Sequence, residues 1–384
     1  MSLFLKISIL LVLGRVFSYF SSLLKQPSVL GLLILGILLK YLPFGIGKFF
    51  VVDEVLESFA NFGIIFLMAL AGLDTDINAL KREGKISFLV ALGGVVLPFL
   101  GAFLIGFVFR LKTVHSLFFG TALTATSVGI TVMTLYSIKK LRTFEGRIIL
   151  GAAVIDDVIG ILVLSFFVGF TTLEEAGNFL IYTLLKIFLF FALLLFVLPK
   201  FFNVTLNYFS KIKAGDISLI GVALILFLSW FSKFCGLADI TGAYFAGLLM
   251  SISGYKDKFA ESLVVFTQNL FTPLFFITIG LKTELMGFSG KYFFVLVMLL
   301  WAVFGKVIGS ILGALLGGVK WFKGLRIGVG MIPRGEVALT IASIALSYKI
   351  IENWHFSTIV MIVIFTSLIT PVFLKKLFVV KKGG

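Results

Sequence analysis

The stretch GAAVIDDVIGILVLSFF, residues 151–167, places two adjacent carboxylates in an otherwise apolar segment. Asp156 and Asp157 are the only charged residues between Ile148 and Phe170. An acid at the centre of a membrane helix costs about 2.5–3.5 kcal/mol on insertion scales, so such residues usually carry function. Adjacent helix residues point about 100° apart, because one turn takes 3.6 residues. We therefore expect the two carboxylates to have different partners.

The rest of the chain is comparably apolar. Its 384 residues are 60% hydrophobic and 13% charged, and the mean hydropathy is +1.16, whereas about half the residues of a soluble domain are apolar. Apolar windows of about 20 residues, the length that crosses a bilayer as a helix, recur almost from end to end. The alternating pattern of barrel strands does not fit. The sequence predicts an all-α polytopic membrane protein.

We predict thirteen transmembrane spans, at residues 3–24, 27–46, 55–73, 86–109, 115–136, 147–170, 178–199, 216–233, 236–254, 262–281, 291–317, 324–348 and 356–374. Spans one to six and eight to thirteen form two sets of six, and span seven connects them. Because one connecting span reverses the direction of the chain, the second set has the opposite orientation. The hydropathy pattern therefore predicts two inverted six-helix repeats.

The basic residues behind the net charge of +15 are concentrated in particular loops. This distribution is typical of membrane topology and argues against a nucleic-acid partner. Short cytoplasmic loops concentrate Lys and Arg. We therefore expect a protein of the cell (inner) membrane, with its N-terminus outside and its C-terminus in the cytoplasm. The basic residues follow odd-numbered spans: Lys139, Lys140, Arg142, Arg147, Lys200, Lys211, Lys213, Lys320, Lys323, Arg326, Lys375, Lys376, Lys381 and Lys382.

Two spans are poor continuous helices. Span five contains GTALTATSVGITVMTL, residues 120–135, whose small and hydroxyl residues fill a lipid-facing stripe badly. Span twelve contains GVGMIPRGEVALTIA, residues 328–342, where Pro333 removes a backbone donor and clashes with the preceding turn. Interrupted helices are tolerated at membrane depth only where protein or water satisfies the freed groups. Matching interruptions in two inverted halves point to the substrate site of a transporter.

Other charges fall inside the spans. Lys306, in AVFGKVIGSILG, is the only charged residue between Lys291 and Lys320. A buried lysine either loses its proton or finds a carboxylate, so we expect it to pair with an acid of span six. Arg334 and Glu336 lie at the break in span twelve. We expect them to pair with each other or with helix ends, in a structural role.

Carboxylates beside hydroxyls and free carbonyls make a site of hard oxygen ligands. Such ligands suit Na⁺, Li⁺ or H⁺, whereas thiolates and imidazoles select softer metals. One carboxylate can hold either a proton or a cation, and that competition is enough to couple two gradients. No bound cofactor is expected; the transported species are monovalent cations and protons.

Several motifs together resemble the NapA-type sodium/proton antiporters of the cation:proton antiporter-2 family. They are QPSVLGLLILGILL, FLMALAGLDTD, GTALTATSVGIT, RIILGAAVIDDVIG, GKVIGSILG and VGMIPRGEVAL, and the resemblance runs from about residue 26 to residue 372. It implies that Asp157 is the main ion-binding carboxylate, Asp156 the neighbouring acid and Lys306 its lysine partner. It also implies that Thr126 and Ser127 lie beside the ion, in an unwound helix.

By the same resemblance the fold is similar to the NhaA/NapA-like antiporters, a thirteen-helix homodimer with two crossed discontinuous helices. Residues 1–76 and 214–284 correspond to scaffold and dimerisation helices of the two repeats. Residues 77–174 and 285–384 correspond to the core helices, the first with the ion-site acids and the second with the basic tail. Residues 175–213 correspond to the linker helix.

The function that these features favour is secondary exchange of cytoplasmic Na⁺ or Li⁺ for external H⁺, electrogenic and with elevator-type alternating access, and not an enzymatic reaction. Potassium/proton exchange within the same family is the alternative. An intramembrane aspartyl protease needs two carboxylates from separate helices, whereas Asp156 and Asp157 are adjacent on one helix. A channel is a poorer match to one mid-membrane ion site with paired broken helices.

Overall fold

The computed structural model describes residues 3–24, 26–41, 49–172, 176–200, 214–253, 256–282, 288, 290–347 and 349–379. Within these ranges the regular elements are helices. The first eight are α1 (Leu3–Leu23), α2 (Ser28–Lys40), α3 (Glu54–Leu73), α4 (Ile77–Val108), α5 (Thr113–Thr124), α6 (Val128–Ser137), α7 (Phe144–Thr172) and α8 (Ala176–Ala192). The next eight are α9 (Ala214–Phe234), α10 (Asp239–Ser251), α11 (Lys256–Phe266), α12 (Thr272–Leu281), α13 (Tyr292–Leu316), α14 (Trp321–Gly330), α15 (Glu336–Ser347) and α16 (Asn353–Val379). Single π-helical turns follow α8 and α11, at Leu193–Val197 and Thr267–Phe271.

Each of the thirteen predicted spans overlaps a helix of this set. Among the described residues, seven helical segments are long and apolar enough to cross a membrane by length and composition. The predicted all-α membrane class is confirmed, whereas the count of thirteen crossings and the inverted repeat stay predictions. The predicted basic residues Lys211, Lys213, Lys381 and Lys382 lie outside the described residues.

Three pairs of helices approach each other at glycines. Helix α2 packs on α12, α3 on α10 and α4 on α13. At each crossing a Cβ added to the glycine would meet a backbone carbonyl of the facing helix, so only glycine permits this spacing. Small residues allow membrane helices to pack closely in this way. The glycines are Gly36 and Gly280, Gly72 and Gly247, and Gly93 and Gly309.

Ion pairs tie helix ends together at the basic end of the molecule. Arg142 bonds Asp74 at 2.5 Å, next to the C-terminus of α3. Arg147 bonds Glu83 through two nitrogens, at 2.5 and 3.0 Å, and its guanidinium also donates to the Arg142 carbonyl. Arg326 of α14 bonds Glu145 at 3.0 Å. These contacts fix the loops around α4, α7 and α14 to one another.

The opposite end of α3 is fixed to the start of the chain. Lys6 of α1 donates to Asp53 and to the Val51 carbonyl, each at 2.7 Å. The hydrogen bond from Lys6 is the main reason why the pKa of the Asp53 carboxyl lies below its ordinary value. Asp53 also caps α3 by accepting from the Leu56 N–H. Asp76 caps α4 in the same manner, as expected for a residue at a span end.

Candidate ion-binding site

Spans five and twelve are each divided into two helices, and their interruptions cross. The Ser127 N–H at the start of α6 donates to the Pro333 carbonyl at 2.7 Å. The Thr131 hydroxyl of α6 donates to the Gly330 carbonyl at the end of α14, at 2.6 Å. A Cβ at Gly335 would lie 2.6 Å from Ser127. Each interruption thus satisfies backbone groups that the other helix break leaves free, as membrane depth requires.

Two buried cations lie at the C-terminal end of α5. Lys306 Nζ donates to the Thr124 carbonyl at 3.0 Å, and Arg334 Nη1 donates to the Ala125 carbonyl at 3.0 Å. Arg334 Nη2 also reaches the Ala302 carbonyl, at 3.3 Å. The last carbonyls of a helix lack internal partners and carry partial negative charge. Positive side chains therefore stabilise this broken end.

The structure places Arg334 against a helix end, which is one of the two alternatives that the sequence left open. Its main-chain N–H donates to the Thr366 hydroxyl of α16 at 3.1 Å, and the residue is fully buried. Glu336 is the first residue of α15, and its side chain lies outside the described part of the chain. These contacts couple the break in span twelve to both α5 and α16.

Lys306 of α13 forms an ion pair with Asp156 of α7. Its Nζ lies 3.1 and 3.2 Å from the two carboxylate oxygens, and the two residues are 0% and 1% exposed. Gly94 of α4 provides the room, because a Cβ there would lie 3.3 Å from Lys306 Cε. Breaking a buried pair on one side leaves an uncompensated charge. Of the two acids of span six, the one that pairs with Lys306 is Asp156.

Asp157 faces a different helix. Its Oδ2 accepts a hydrogen bond of 2.7 Å from the hydroxyl of Thr241, in the first turn of α10. Asp156 is buried, whereas Asp157 is partly exposed. The two neighbouring carboxylates thus have separate surroundings, in agreement with the angle between adjacent helix residues.

Thr126 and Ser127 form the interruption between α5 and α6 and are 4% and 2% exposed. The Thr126 hydroxyl has no hydrogen-bond partner among the described residues. A buried polar group without a partner is uncommon and needs an explanation. The hydroxyls of Thr272 and Thr278 are also buried without such a partner, so the role beside the ion that the resemblance implies for Thr126 stays a prediction.

Sequence reasoning missed three contributors, namely the Thr124 carbonyl, Gly94 and Thr241. Thr241 lies 84 residues from the acid that it contacts. A threonine in the first turn of a helix and a glycine in a membrane span are both common, so neither residue type signals a site. Only the carbonyl had a partial signal, because a helix that breaks beside a buried lysine must expose acceptors.

The site brings together two acids, the buried Asp156 and the partly exposed Asp157, and two buried bases, Lys306 and Arg334. Around them are carbonyl and hydroxyl oxygens. A family model described as the transmembrane sodium/hydrogen exchanger matches residues 7–380. The chain belongs to the sodium/hydrogen exchanger family.

This family member is 35% identical to the Na⁺/H⁺-K⁺ antiporter GerN of Bacillus cereus, over 98% of its own length and 96% of the relative. It is 34% identical to a Na⁺/H⁺ antiporter of Enterococcus hirae, over 96% of each chain. Its fold is similar to that of the sodium proton antiporter MjNhaP1 of Methanocaldococcus jannaschii, with a TM-score of 0.70 at 20% identity over the whole of both chains. Membership of a multi-pass membrane transporter family is thereby established.

Proposed function

We propose that this family member exchanges cytoplasmic Na⁺ or Li⁺ for external H⁺, with Asp157 as the shared ion and proton carrier. The observation that carries the proposal is the separation of the two acids. Asp156 pairs with Lys306 at 3.1 Å, whereas Asp157 lies beside α10 and accepts a hydrogen bond from the Thr241 hydroxyl. A partly exposed carboxylate can then take up a cation or a proton, and the buried hydroxyl of Thr126 can supply a further oxygen.

The exchange is electrogenic in this proposal. When Na⁺ arrives, its charge weakens the pairing of Lys306 with Asp156 and favours loss of the lysine proton. A second proton leaves Asp157, so two protons move per Na⁺ and one net charge crosses the membrane. One charge across 100 mV corresponds to about 2.3 kcal/mol. That amount sustains a roughly fifty-fold Na⁺ gradient without any pH gradient.

Alternating access is assigned to movement of one helix set past the other. We name α4–α7 and α13–α16 the core helices, and α1–α3 and α9–α12 the scaffold helices. In the two proposed repeats α2 corresponds to α10, α3 to α12 and α4 to α13. The contact of α2 with α12 then corresponds to the contact of α10 with α3, and the contact of α4 with α13 corresponds to itself. This pattern supports two inverted repeats.

We further propose a homodimer formed through scaffold helices, which the mass of the protein in nanodiscs would test.

The proposed topology has the N-terminus outside and the C-terminus in the cytoplasm. Arg326, in the basic loop region, bonds the Leu377 carbonyl near the end of α16, whereas Lys6 bonds Asp53 at the opposite end of α3 from Asp74. Lys6, near the start of the chain, and Leu377, near its end, therefore lie toward opposite ends of α3. Short basic loops favour the cytoplasm. Labelling of single cysteines introduced near each terminus, in sealed cells, tests this orientation.

Potassium/proton exchange is the second candidate, because the name of GerN includes K⁺. Both candidates are tested by reconstituting the protein in liposomes with an internal pH-sensitive dye and adding Na⁺, Li⁺ or K⁺ separately. We expect proton movement with Na⁺ and Li⁺ that saturates at lower concentration than with K⁺. A response to K⁺ alone would favour the second candidate, and no response to any cation would overturn both.

A further inference from the structure

Polar contacts between the core and the scaffold helices include one at the ion carboxylate itself. Gln268 of the scaffold donates to the Tyr136 hydroxyl at 2.7 Å, away from the acids. Thr241 of the scaffold donates to Asp157 Oδ2, also at 2.7 Å. Any movement of the core past the scaffold at this point must break the bond between Thr241 and Asp157.

Thr241 is rigidly placed. It is 1% exposed and lies in the first turn of α10, where its N–H donates to the Ala238 carbonyl. The next residue, Gly242, packs directly on the backbone of α9 at Leu228. A threonine in a helix has two common χ1 rotamers, and in this structure the hydroxyl of Thr241 points to Asp157. The hydroxyl is therefore a donor carried by a closely packed helix of the scaffold.

We propose that Thr241 is a positioning residue of the exchange cycle, whose hydroxyl holds the empty Asp157 carboxylate against the scaffold until an ion replaces it. The inference rests on the proposed function. Hydrogen bonds to a charged acceptor are about twice as strong as those between neutral groups. The bond is therefore strongest when the Asp157 carboxylate carries neither a proton nor a cation. A cation on the carboxylate competes for the same oxygen atoms and releases the core.

This contact has a consequence for coupling. An antiporter loses coupling when its empty core crosses the membrane, because Na⁺ then moves without a returning proton. At a pH so alkaline that few cores return with a proton, net Na⁺ efflux into Na⁺-free medium requires the empty core to cross. If Thr241 retains the empty core, this net efflux is slow while exchange of internal for external Na⁺ remains fast. The ratio of these two rates therefore measures the retention directly.

The test uses the full chain in liposomes loaded with ²²Na⁺, at one alkaline pH on both sides and with the membrane potential clamped. Thr241→Val removes the donor at nearly constant volume. We expect the ratio of exchange to net efflux, and the apparent KM for Na⁺, each to fall about ten-fold, the size of effect of one charge-assisted hydrogen bond. Thr241→Ser, which retains the donor, is expected to stay within about two-fold of wild type, since ΔΔG values carry errors of a few tenths of a kcal/mol.

Thr272→Val is the matched control, because the Thr272 hydroxyl is equally buried in the scaffold and has no partner among the described residues. It should leave both quantities unchanged. An unchanged ratio in Thr241→Val would overturn the inference. A raised KM with an unchanged ratio would also overturn it, since the hydroxyl would then be a cation ligand. Wild-type protein that fails to exchange Na⁺ for H⁺ at all would instead remove the proposed function.

Discussion

The main-chain N–H of Ser127 donates to the carbonyl of Pro333 over 2.7 Å, and this bond joins the two interrupted helices where they cross. The two residues lie more than two hundred positions apart in the sequence. Pro333 cannot donate a backbone hydrogen bond, but its carbonyl accepts the one that the first turn of α6 leaves unpaired. The candidate ion site is therefore built on backbone groups as well as on side chains.

The first prediction concerns the space at this crossing. Gly335→Ala would bring a Cβ to 2.6 Å from both Cβ and Oγ of Ser127. Overpacking of this kind typically costs about 1–3 kcal/mol, so we expect a lower melting temperature in detergent and slower exchange. Gly84→Ala is the control, because a Cβ there meets nothing within 4 Å. Equal melting temperatures for the two variants would contradict the close contact.

The second prediction concerns the carrier. Asp157→Asn should abolish Na⁺-dependent proton movement, because an amide neither releases a proton nor balances the charge of a cation. The dye assay in liposomes measures it, with equal protein incorporation. Glu57→Gln, which removes a half-exposed surface carboxylate, should retain activity. Activity retained in Asp157→Asn would mean that another group carries the ions.

The third prediction concerns the unpaired hydroxyl. Thr126→Val is nearly isosteric and removes one oxygen without touching the proton carrier. We expect the apparent KM for Na⁺ to rise more than the maximal rate falls, which a Na⁺ titration of initial rates measures. Thr278→Val is the matched control, since that hydroxyl is also buried and without a partner among the described residues. A KM equal to that of the control would place the ion elsewhere.

The fourth prediction separates two roles of Lys306. If its proton is one of the two exchanged, Lys306→Gln should leave an exchanger that is active and electroneutral. If Lys306 only stabilises the fold, the variant should give currents of wild-type size on solid-supported membranes after a Na⁺ jump. Comparison at equal protein density distinguishes the two roles.

The same variant tests the ion pair. Lys306→Gln leaves Asp156 buried without its cation, and removal of one partner of a buried pair typically costs about 3–5 kcal/mol. We expect a lower melting temperature that the double variant Lys306→Gln with Asp156→Asn partly restores. Failure of the second substitution to restore stability would show that the pair does not account for the loss.

The sequence by itself determined the membrane class, the positions of the helices and the two interruptions. These properties depend on local chemistry, since the cost of placing a charge or a proline in a membrane helix is set mainly by that residue and its near neighbours. The same reasoning indicated that Lys306 needs an acid of span six and that Asp156 and Asp157 point in different directions. Neither conclusion required knowledge of which helices touch.

The residues alone left open which acid of span six Lys306 pairs with, and the resemblance implied Asp156; the tertiary structure places Lys306 beside Asp156 and decides what Asp157 contacts. The lysine lies 150 residues from Asp156, and Thr241 lies 84 residues from Asp157. Such contacts depend on the rotation and depth of each helix relative to its neighbours, which the close glycine crossings set. Helices in lipid associate through packing and hydrogen bonds across whole interfaces, so no single residue in the chain specifies the register that brings these groups together.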